Sequence, residues 1–168
     1  MSGEPVIYTI GHSNHPLDHF LGLLKEHDIQ LVADVRSRPY SRYVPQFNRP
    51  NLAADLERVN IRYRFLGREL GGKPPDRGRS RTGELVFAHL RSQPQFRLGV
   101  NRLLEEARGA RVCVLCAEAD PARCHRGLLL APELTARGAK VRHILADGRL
   151  LDQEDLKPPP KLEQKRLF

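Results

Sequence analysis

Apolar runs rich in β-branched residues alternate along this chain with stretches in which apolar side chains recur every three or four positions. The runs predict five β-strands, at residues 5–10, 29–35, 61–66, 111–116 and 139–145. The periodic stretches predict helices at residues 16–27, 50–59, 84–91, 94–107 and 126–137. Strands that alternate with helices are typical of a parallel sheet with helices on both faces. The pattern therefore predicts an α/β fold, a three-layer sandwich around a mostly parallel, Rossmann-like sheet of about five strands.

Three segments depart from this alternation. A turn sequence at residues 146–148 followed by an apolar segment at 149–151 predicts a C-terminal β-hairpin. Residues 153–168 contain three consecutive prolines flanked by lysines, which predicts a disordered tail. Residues 67–83 are rich in Gly, Pro and Arg and predict a long mobile loop. We expect a single α/β domain over residues 1–152, followed by the tail.

Composition places the chain among globular proteins. Of its 168 residues, 40% are hydrophobic and 29% are charged. No apolar run approaches the roughly 20 residues of a membrane-spanning helix, and the first residues lack the features of a signal peptide. Three cysteines, an odd number, argue against a secreted disulfide framework. We therefore expect a cytoplasmic protein with reduced thiols and no membrane partner, in which Cys113 is a buried apolar residue of the fourth strand.

Positive charge is concentrated in one part of the sequence. The formal net charge is +8, and residues 36–81 alone contain 12 Lys or Arg against four Asp or Glu. Tyr40, Tyr43 and Phe47 lie among these arginines, a composition that suits base stacking and phosphate contact. The region predicts a phosphate-bearing or other anionic substrate, with DNA or RNA among the candidate partners. The alternative is a solvated, arginine-rich surface with a loop packed on its own rings.

Polar residues follow three of the predicted strands. His12 follows the first strand, Asp34 and Arg36 close the second, and Cys116 and Glu118 close the fourth. In open parallel sheets, ligands bind at the edge where the carboxyl ends of the strands meet, so these residues are expected to lie together. His12 suits a general acid or base, or else a turn histidine bonded to backbone. Asp34 suits a functional acceptor or a buried ion pair with Arg36.

The loop between the fourth strand and the last helix carries the most chemistry. Cys116 begins it, and Arg123, Cys124, His125 and Arg126 lie where the helix begins. Helix amides and nearby cations favour a thiolate, so Cys116 is predicted to be a nucleophile or persulfide carrier, or else a small buried hydrophobe. Cys124 has three interpretations: the nucleophile itself, a thiol that resolves Cys116, or a metal ligand. The seven residues between the cysteines do not match a zinc-finger spacing, so neither a metal nor a cofactor is predicted.

Five short motifs follow one another along the chain: Thr9-Ile-Gly-His-Ser13, Asp34-Val-Arg-Ser37, Pro45-Gln-Phe-Asn48, Glu69-Leu-Gly-Gly72 and Cys116-Ala-Glu…Asp120-Pro…Cys124-His-Arg126. In this order they resemble the domain of unknown function 488 family. The resemblance covers roughly residues 6–150 and implies a small soluble α/β protein. It assigns no roles, but it marks these positions: His12, Asp34, Arg36, Asn48, Cys116, Glu118, Cys124, His125 and Arg126.

A weaker similarity is to the rhodanese layout, in which the amides of a loop entering a helix cradle a cysteine at a strand end. Here the loop is longer and contains Asp120 and Pro121, which do not cradle an anion. Cysteine-dependent phosphatases have the spacing Cys-x5-Arg, whereas Cys116 and Arg123 are spaced as Cys-x6-Arg. Neither activity is therefore carried over to this chain.

The leading hypothesis is an enzyme with a thiol-containing anion-binding site at the C-terminal edge of the sheet. Its substrate would be a nucleotide, a nucleic acid or another oxyanion. The candidate catalytic residues are Cys116, Cys124, His12, His125 and Glu118. The candidate substrate-binding residues are Asp34, Arg36, Asn48, Arg123 and Arg126. The alternative is a non-catalytic nucleic-acid-binding module whose cysteines are structural.

Overall fold

The computed structural model describes residues 3–72 and 83–157, which form a six-stranded sheet with helices on both faces. The strands are β1 (Val6–Gly11), β2 (Leu31–Asp34), β3 (Arg62–Phe65), β4 (Val112–Cys116), β5 (Lys140–Ile144) and β6 (Leu150–Asp152). Their order across the sheet is β3-β2-β4-β1-β5-β6. Strands β1 to β5 are parallel, and β6 runs antiparallel to β5. The predicted α/β fold, with its mostly parallel sheet and C-terminal hairpin, is confirmed.

The helices lie close to the predicted positions, with one addition. They are α1 (Leu17–Glu26), α2 (Arg49–Arg58), α3 (Gly67–Leu70), α4 (Gly83–Ser92), α5 (Pro94–Gly109) and α6 (Ala131–Ala136), the last preceded by a π-helical turn at Arg126–Leu130. Helix α3 lies where the sequence predicts a loop, because Leu70 is fully buried and that packing stabilises the turn. The rest of the predicted loop, residues 73–82, lies outside the described residues. Within the described part of the chain, no helix combines the length and the apolar character needed to cross a membrane.

The side chains of β4 alternate between two cores on opposite faces of the sheet. Cys113 and Leu115 pack with apolar residues of α1 and α2, whereas Val114 and Cys116 pack with those of α5 and α6. All residues of β4 are buried, as expected of a central parallel strand covered on both faces. Cys113 therefore lies in the core, and Cys116 lies where the same strand reaches the edge of the sheet.

The strand order brings the predicted site residues to one edge. Because β4 lies between β1 and β2, the carboxyl ends of these three strands are adjacent. Gly11 pairs with Cys116 in the parallel register, and the next amide, that of His12, donates to the Cys116 carbonyl at 3.0 Å. The loop after β4 then crosses over Gly11, where any side chain would overlap the main chain of Glu118. Glycine at this position thus allows the loop to approach β1 closely.

The end of the chain differs in part from its prediction. A short 3₁₀-helix at Gln153–Asp155 follows β6, within the segment predicted to be a tail. The Gln153 side chain contacts His143 and the Gly127 carbonyl, and these tertiary contacts leave no mark in local composition. The rest of the predicted tail, residues 158–168, lies outside the described residues.

Candidate functional site

A pocket of about 520 Å³ opens at the carboxyl edge of the sheet. Its walls come from the segments that follow β1, β2 and β4 and from the start of the last helix. Three arginines line it, Arg36, Arg38 and Arg123, against one carboxylate, that of Glu118. Among the described residues, the lining therefore carries a positive balance that suits an anionic ligand.

Cys116 and Cys124 lie at the bottom of this pocket with their sulfur atoms in direct contact. The structure joins them as a disulfide across the loop, and their side chains are only 1% and 3% exposed. The expectation that all thiols are reduced is therefore corrected for this pair. The physical reason is that the loop after β4 folds back and returns Cys124 to the end of the strand, a proximity that the spacing alone did not fix.

Arg126 contacts both sulfur atoms. Its main-chain amide approaches Cys124 Sγ at 3.4 Å, and its side-chain Nε donates to Cys116 Sγ at 3.2 Å. Cys124 has the extended backbone of an N-cap residue, and its carbonyl accepts the amides of Gly127 and Leu128. Its sulfur thus takes the place that a capping oxygen usually occupies at a helix N-terminus.

The guanidinium of Arg126 is completely buried. Its other bonds run to neutral acceptors: Nη1 donates to Thr9 Oγ1 at 3.1 Å, and Nη2 donates to the carbonyls of Glu118 at 3.0 Å and Ala119 at 2.9 Å. Within residues 3–72 and 83–157, no carboxylate lies within ion-pair distance of it. Burial lowers the pKa of Arg126 to about 10, which leaves it charged at neutral pH. Buried charges are usually paired, and the sulfur that this cation touches, Cys116 Sγ, is ionisable only when the disulfide is reduced.

Glu118 and the two cysteines also form a potential metal-binding group. Their ligand atoms lie within 4.8 Å of one another, and Glu118 Oε2 is 3.6 Å from Cys116 Sγ. Two thiolates and a carboxylate are ligands that Zn²⁺ accepts. However, the Arg126 guanidinium already occupies one side of Cys116, and its positive charge opposes the binding of a second cation there.

His12 is held as a neutral imidazole beside the cysteines. Its Nδ1 lies 2.7 Å from the Ser13 carbonyl, which can only accept, so Nδ1 carries the proton and Nε2 is the acceptor. The ring stacks on Phe47 with centroids 4.6 Å apart. Burial, reinforced by the charge of the nearby Arg36, lowers the pKa of His12 to about 4. His12 Nε2 is therefore unprotonated at neutral pH and can act as a base, although its low pKa makes it a weak one.

His125 joins the start of the last helix to the end of β2. Its Nε2 donates to the Val35 carbonyl at 3.2 Å, and Gly72 packs so closely on the ring that a side chain there would overlap it. Burial lowers the pKa of His125 to about 4, so this ring is also neutral at neutral pH. Its position on the pocket wall is fixed by these contacts rather than adjustable.

Asp34 and Arg36 form the buried ion pair that was one of the two predicted interpretations. Arg36 Nε and Nη2 each donate to one oxygen of Asp34, both at 2.8 Å, and the Tyr63 hydroxyl donates to Oδ2 at 2.5 Å. Asp34 is fully buried, whereas Arg36 reaches the pocket. Burial and the Asp34 charge raise the pKa of Tyr63, which keeps it a hydrogen-bond donor. The carboxylate therefore orients Arg36 and does not itself face the pocket.

Two further predicted residues lie on the pocket rim. Asn48 Oδ1 accepts the Ser41 amide at 2.6 Å, which fastens the loop after β2 to the start of α2. Arg123 is half exposed and lies 3.7 Å from the Asp120 carboxylate. Of the ten predicted site residues, these eight line the pocket: His12, Arg36, Asn48, Cys116, Glu118, Arg123, Cys124 and His125. Asp34 and Arg126 lie directly behind them.

Sequence reasoning did not single out Thr9, His143 or Gln153 as site residues, although all three connect to Arg126 through hydrogen bonds. The available signal was a polar residue inside each of two apolar strands: Thr9 in β1 and His143 in β5. Both are buried, at 1% and 0% exposure, and buried polar side chains need partners. Gln153 carried no such signal because it lies in a polar segment.

Fold and site together define an α/β protein with a paired-cysteine pocket at the carboxyl edge of a parallel sheet. The chain belongs to the family described as Domain of unknown function DUF488, whose model matches residues 16–131. No curated protein matches the chain, and no solved structure matches it. The matched range contains both pocket cysteines and Arg126, whereas His12, Thr9 and His143 lie outside it.

Proposed function

We propose that this protein is an enzyme in which the Cys116 thiolate attacks an anionic substrate held in the pocket, after the Cys116–Cys124 disulfide has been reduced by a thiol. The observation that carries the proposal is the buried Arg126 guanidinium, which donates to Cys116 Sγ at 3.2 Å. A cation in this position favours the thiolate, which is the nucleophilic form of cysteine.

Two charges have opposite effects on the stability of the Cys116 thiolate. How deeply each charge is buried decides which effect is larger. Arg126 favours the thiolate, whereas the Glu118 carboxylate disfavours it. Opposite charges about 4 Å apart attract by about 4 kcal/mol at an effective dielectric constant of about 20, but by about 1 kcal/mol in water. Arg126 is fully buried and Glu118 is exposed to solvent, so the attraction outweighs the repulsion. Within residues 3–72 and 83–157, the contact to Cys124 Sγ is one main-chain amide rather than a guanidinium, so Cys116 is the better nucleophile.

The proposed reaction is a group transfer in two steps. The Cys116 sulfur donates an electron pair to the electrophilic atom of the substrate, and the leaving group departs with the electron pair of its broken bond. Water then attacks the transferred group, His12 Nε2 takes a proton from that water, and the bond to sulfur breaks to regenerate the thiolate. The disulfide with Cys124 is the oxidised resting form, in which neither sulfur can attack.

The pocket lining supports a phosphate or related oxyanion as the group attacked. Arg36, Arg38 and Arg123 line the pocket and give it three positive charges. Tyr40 also lines the pocket, with 64% of its surface exposed. An exposed ring beside a cationic pocket suits stacking against a nucleobase, so we propose a nucleotide or a nucleic-acid end as the substrate class.

The first prediction concerns the reactivity of the three thiols. In the reduced protein, iodoacetamide at about pH 6 should modify Cys116 far faster than Cys124, because an ordinary cysteine is almost wholly protonated there. Cys113 should not react, because burial raises the pKa of its thiol and it lies in the core, whereas Cys116 and Cys124 line the pocket. Peptide mass analysis after timed alkylation between about pH 5 and 9 gives the rate for each cysteine.

Two results would contradict the proposal. If Cys116 reacts only above about pH 8, it is an ordinary thiol and the proposed nucleophile is wrong. If Cys124 instead reacts first, the helix N-terminus and not the guanidinium controls reactivity. Replacement of Cys113 by Ala provides the control, since the modification rates at Cys116 and Cys124 should not change.

A second candidate function, a nucleic-acid-binding module, is favoured by the exposed loop beside the pocket. Arg42 lies over the Tyr43 ring with its guanidinium carbon 5.2 Å from the centroid, and Tyr43 is 80% exposed. Such a pair presents both a stacking surface and a phosphate contact.

This second function predicts that affinity for single-stranded DNA or RNA falls steeply with salt. For about three phosphate contacts, the association constant should fall by about tenfold for a threefold rise in salt. Replacing both Tyr43 and Arg42 by Ala should lower the association constant by at least about tenfold. Cys116→Ser should leave the association constant unchanged. Fluorescence anisotropy with labelled oligonucleotides measures this. If no oligonucleotide binding is detected at low salt, the proposal of a nucleic-acid-binding module is wrong and the thiol enzyme is the remaining candidate.

A further inference from the structure

A buried chain of hydrogen bonds runs from Arg126 to the C-terminal elements of the fold. Thr9 Oγ1 accepts from Arg126 Nη1 at 3.1 Å and lies 2.6 Å from His143 Nδ1. His143 Nε2 lies 2.6 Å from Gln153 Oε1, and Gln153 Nε2 donates to the Gly127 carbonyl at 3.1 Å. The chain therefore starts and ends on the same π-helical turn, and it passes through β1 and β5 on the way.

The direction of every bond in this chain follows from the carbonyl at its end. The Gly127 carbonyl only accepts, so the Gln153 amide nitrogen faces it and Oε1 faces His143. Oε1 also only accepts, so the His143 proton is on Nε2 and Nδ1 is an acceptor. The Thr9 hydroxyl then donates to Nδ1, which leaves its lone pairs for the Arg126 guanidinium.

We infer that Thr9, His143 and Gln153 are positioning residues that hold the Arg126 guanidinium against the sulfur of Cys116. The inference rests on the proposed function, since it assigns these residues a role in activating that cysteine. Without the Thr9 acceptor, Nη1 loses its hydrogen bond, and the guanidinium is held at Nη2 alone by the carbonyls of Glu118 and Ala119. The guanidinium can then adopt several orientations, and only one of them keeps Nε in contact with the Cys116 sulfur.

The chain acts through geometry and not through charge. Among the described residues, the charged groups that contact Cys116 Sγ are Arg126 from the helix start and Glu118 from its own loop, while His12 at the end of β1 is a neutral neighbour. His143 is completely buried, and burial lowers its pKa to about 4, an effect that Arg126 reinforces. His143 is therefore neutral wherever Cys116 titrates, and Thr9 and Gln153 carry no charge.

The test is the pH midpoint of Cys116 alkylation in the reduced protein. Thr9→Val keeps the shape of the side chain but removes the hydroxyl. It should raise the pH midpoint of Cys116 alkylation by about half a unit to one unit, which corresponds to about threefold to tenfold less thiolate at a given pH. Thr9→Ser, which keeps the hydroxyl, should restore the wild-type midpoint. Gln153→Ala, at the less buried end of the chain, should shift the midpoint in the same direction by a smaller amount.

A matched control exists in α6. The Thr135 hydroxyl donates to the Ala131 carbonyl at 2.9 Å within its own helix, so Thr135→Val removes a hydroxyl without touching the chain. The pH midpoint of Cys116 alkylation in Thr135→Val should equal that of the wild type.

The outcomes separate the two proposals. A wild-type midpoint near that of an ordinary cysteine overturns the proposed function. A low wild-type midpoint that persists in folded Thr9→Val overturns the positioning role and leaves the function standing. If Thr9→Val fails to fold, Gln153→Ala decides, and an unchanged midpoint in that variant overturns the inference.

Discussion

Replacement of Arg126 by Met is expected to slow alkylation of Cys116 at about pH 6 by about 100-fold. The methionine side chain fills similar space but carries no charge, so Cys116 becomes a buried thiol next to an exposed carboxylate. Its pKa should then return to at least the ordinary value of about 8.5, at which about one thiol in 300 is ionised at pH 6. The measurement is the second-order rate constant with iodoacetamide, followed for the Cys116 peptide alone.

The same substitution should also lower the free energy of unfolding. Loss of the guanidinium leaves Thr9 Oγ1 and the carbonyls of Glu118 and Ala119 without this donor. Each buried acceptor left unpaired costs about 1–3 kcal/mol, and removal of the buried charge offsets part of this loss. We therefore expect a net loss of about 2–4 kcal/mol, measured by denaturant titration.

Two further variants show whether the effect belongs to charge at this position. Arg126→Lys keeps the positive charge but lacks the several N–H donors of the guanidinium. The alkylation rate of Cys116 in this variant should therefore lie between the rates in the wild type and in Arg126→Met. Arg123→Gln removes a half-exposed cation from the pocket rim and should change the rate less than about threefold, because solvent screens that charge. An Arg126→Met protein that is folded and reacts like wild type at pH 6 would remove the main support for the nucleophile.

Acid is expected to destabilise this fold at a mild pH. Burial lowers the pKa of His12, His125 and His143 from 6.5 to about 4 each. Between those pH values the unfolded chain binds more protons than the folded one, so the free energy of unfolding decreases as the pH falls. Each histidine should remove about 2 kcal/mol between pH 7 and pH 5. The three together approach the total stability of a typical domain of about 5–15 kcal/mol.

Denaturant unfolding of the oxidised protein at pH 7, 6 and 5 measures this slope, with the disulfide kept intact throughout. His143→Gln removes one of the three groups and should reduce the difference between pH 7 and pH 5 by about 2 kcal/mol. A free energy of unfolding that stays level or increases as the pH falls from 7 to 5 would show that these rings are not held neutral in the folded protein.

The pattern of apolar and polar residues was enough to predict the fold class and the edge of the sheet at which the pocket lies. Five apolar runs separated by helical periods leave few arrangements other than a parallel sheet, because each amphipathic helix must bury one face. Polar residues stand at the ends of three strands: His12, Asp34 and Cys116. Because parallel strands end at one edge of the sheet, these residues were predicted to lie close together. These features depend on local pattern and on polarity, which a sequence displays directly.

Which of these residues face the pocket and which hold others in place depends on contacts between distant segments of the folded chain. Arg126 looks like a substrate-binding arginine in the sequence, yet it is fully buried against Cys116. Thr9 and His143 lie 134 positions apart and touch because β1 and β5 are neighbours in the sheet. The contact between the two pocket sulfurs depends in the same way on how the loop folds over Gly11. Such contacts arise from strand order and loop path, which are set by packing between distant segments and leave no periodic signal in the chain.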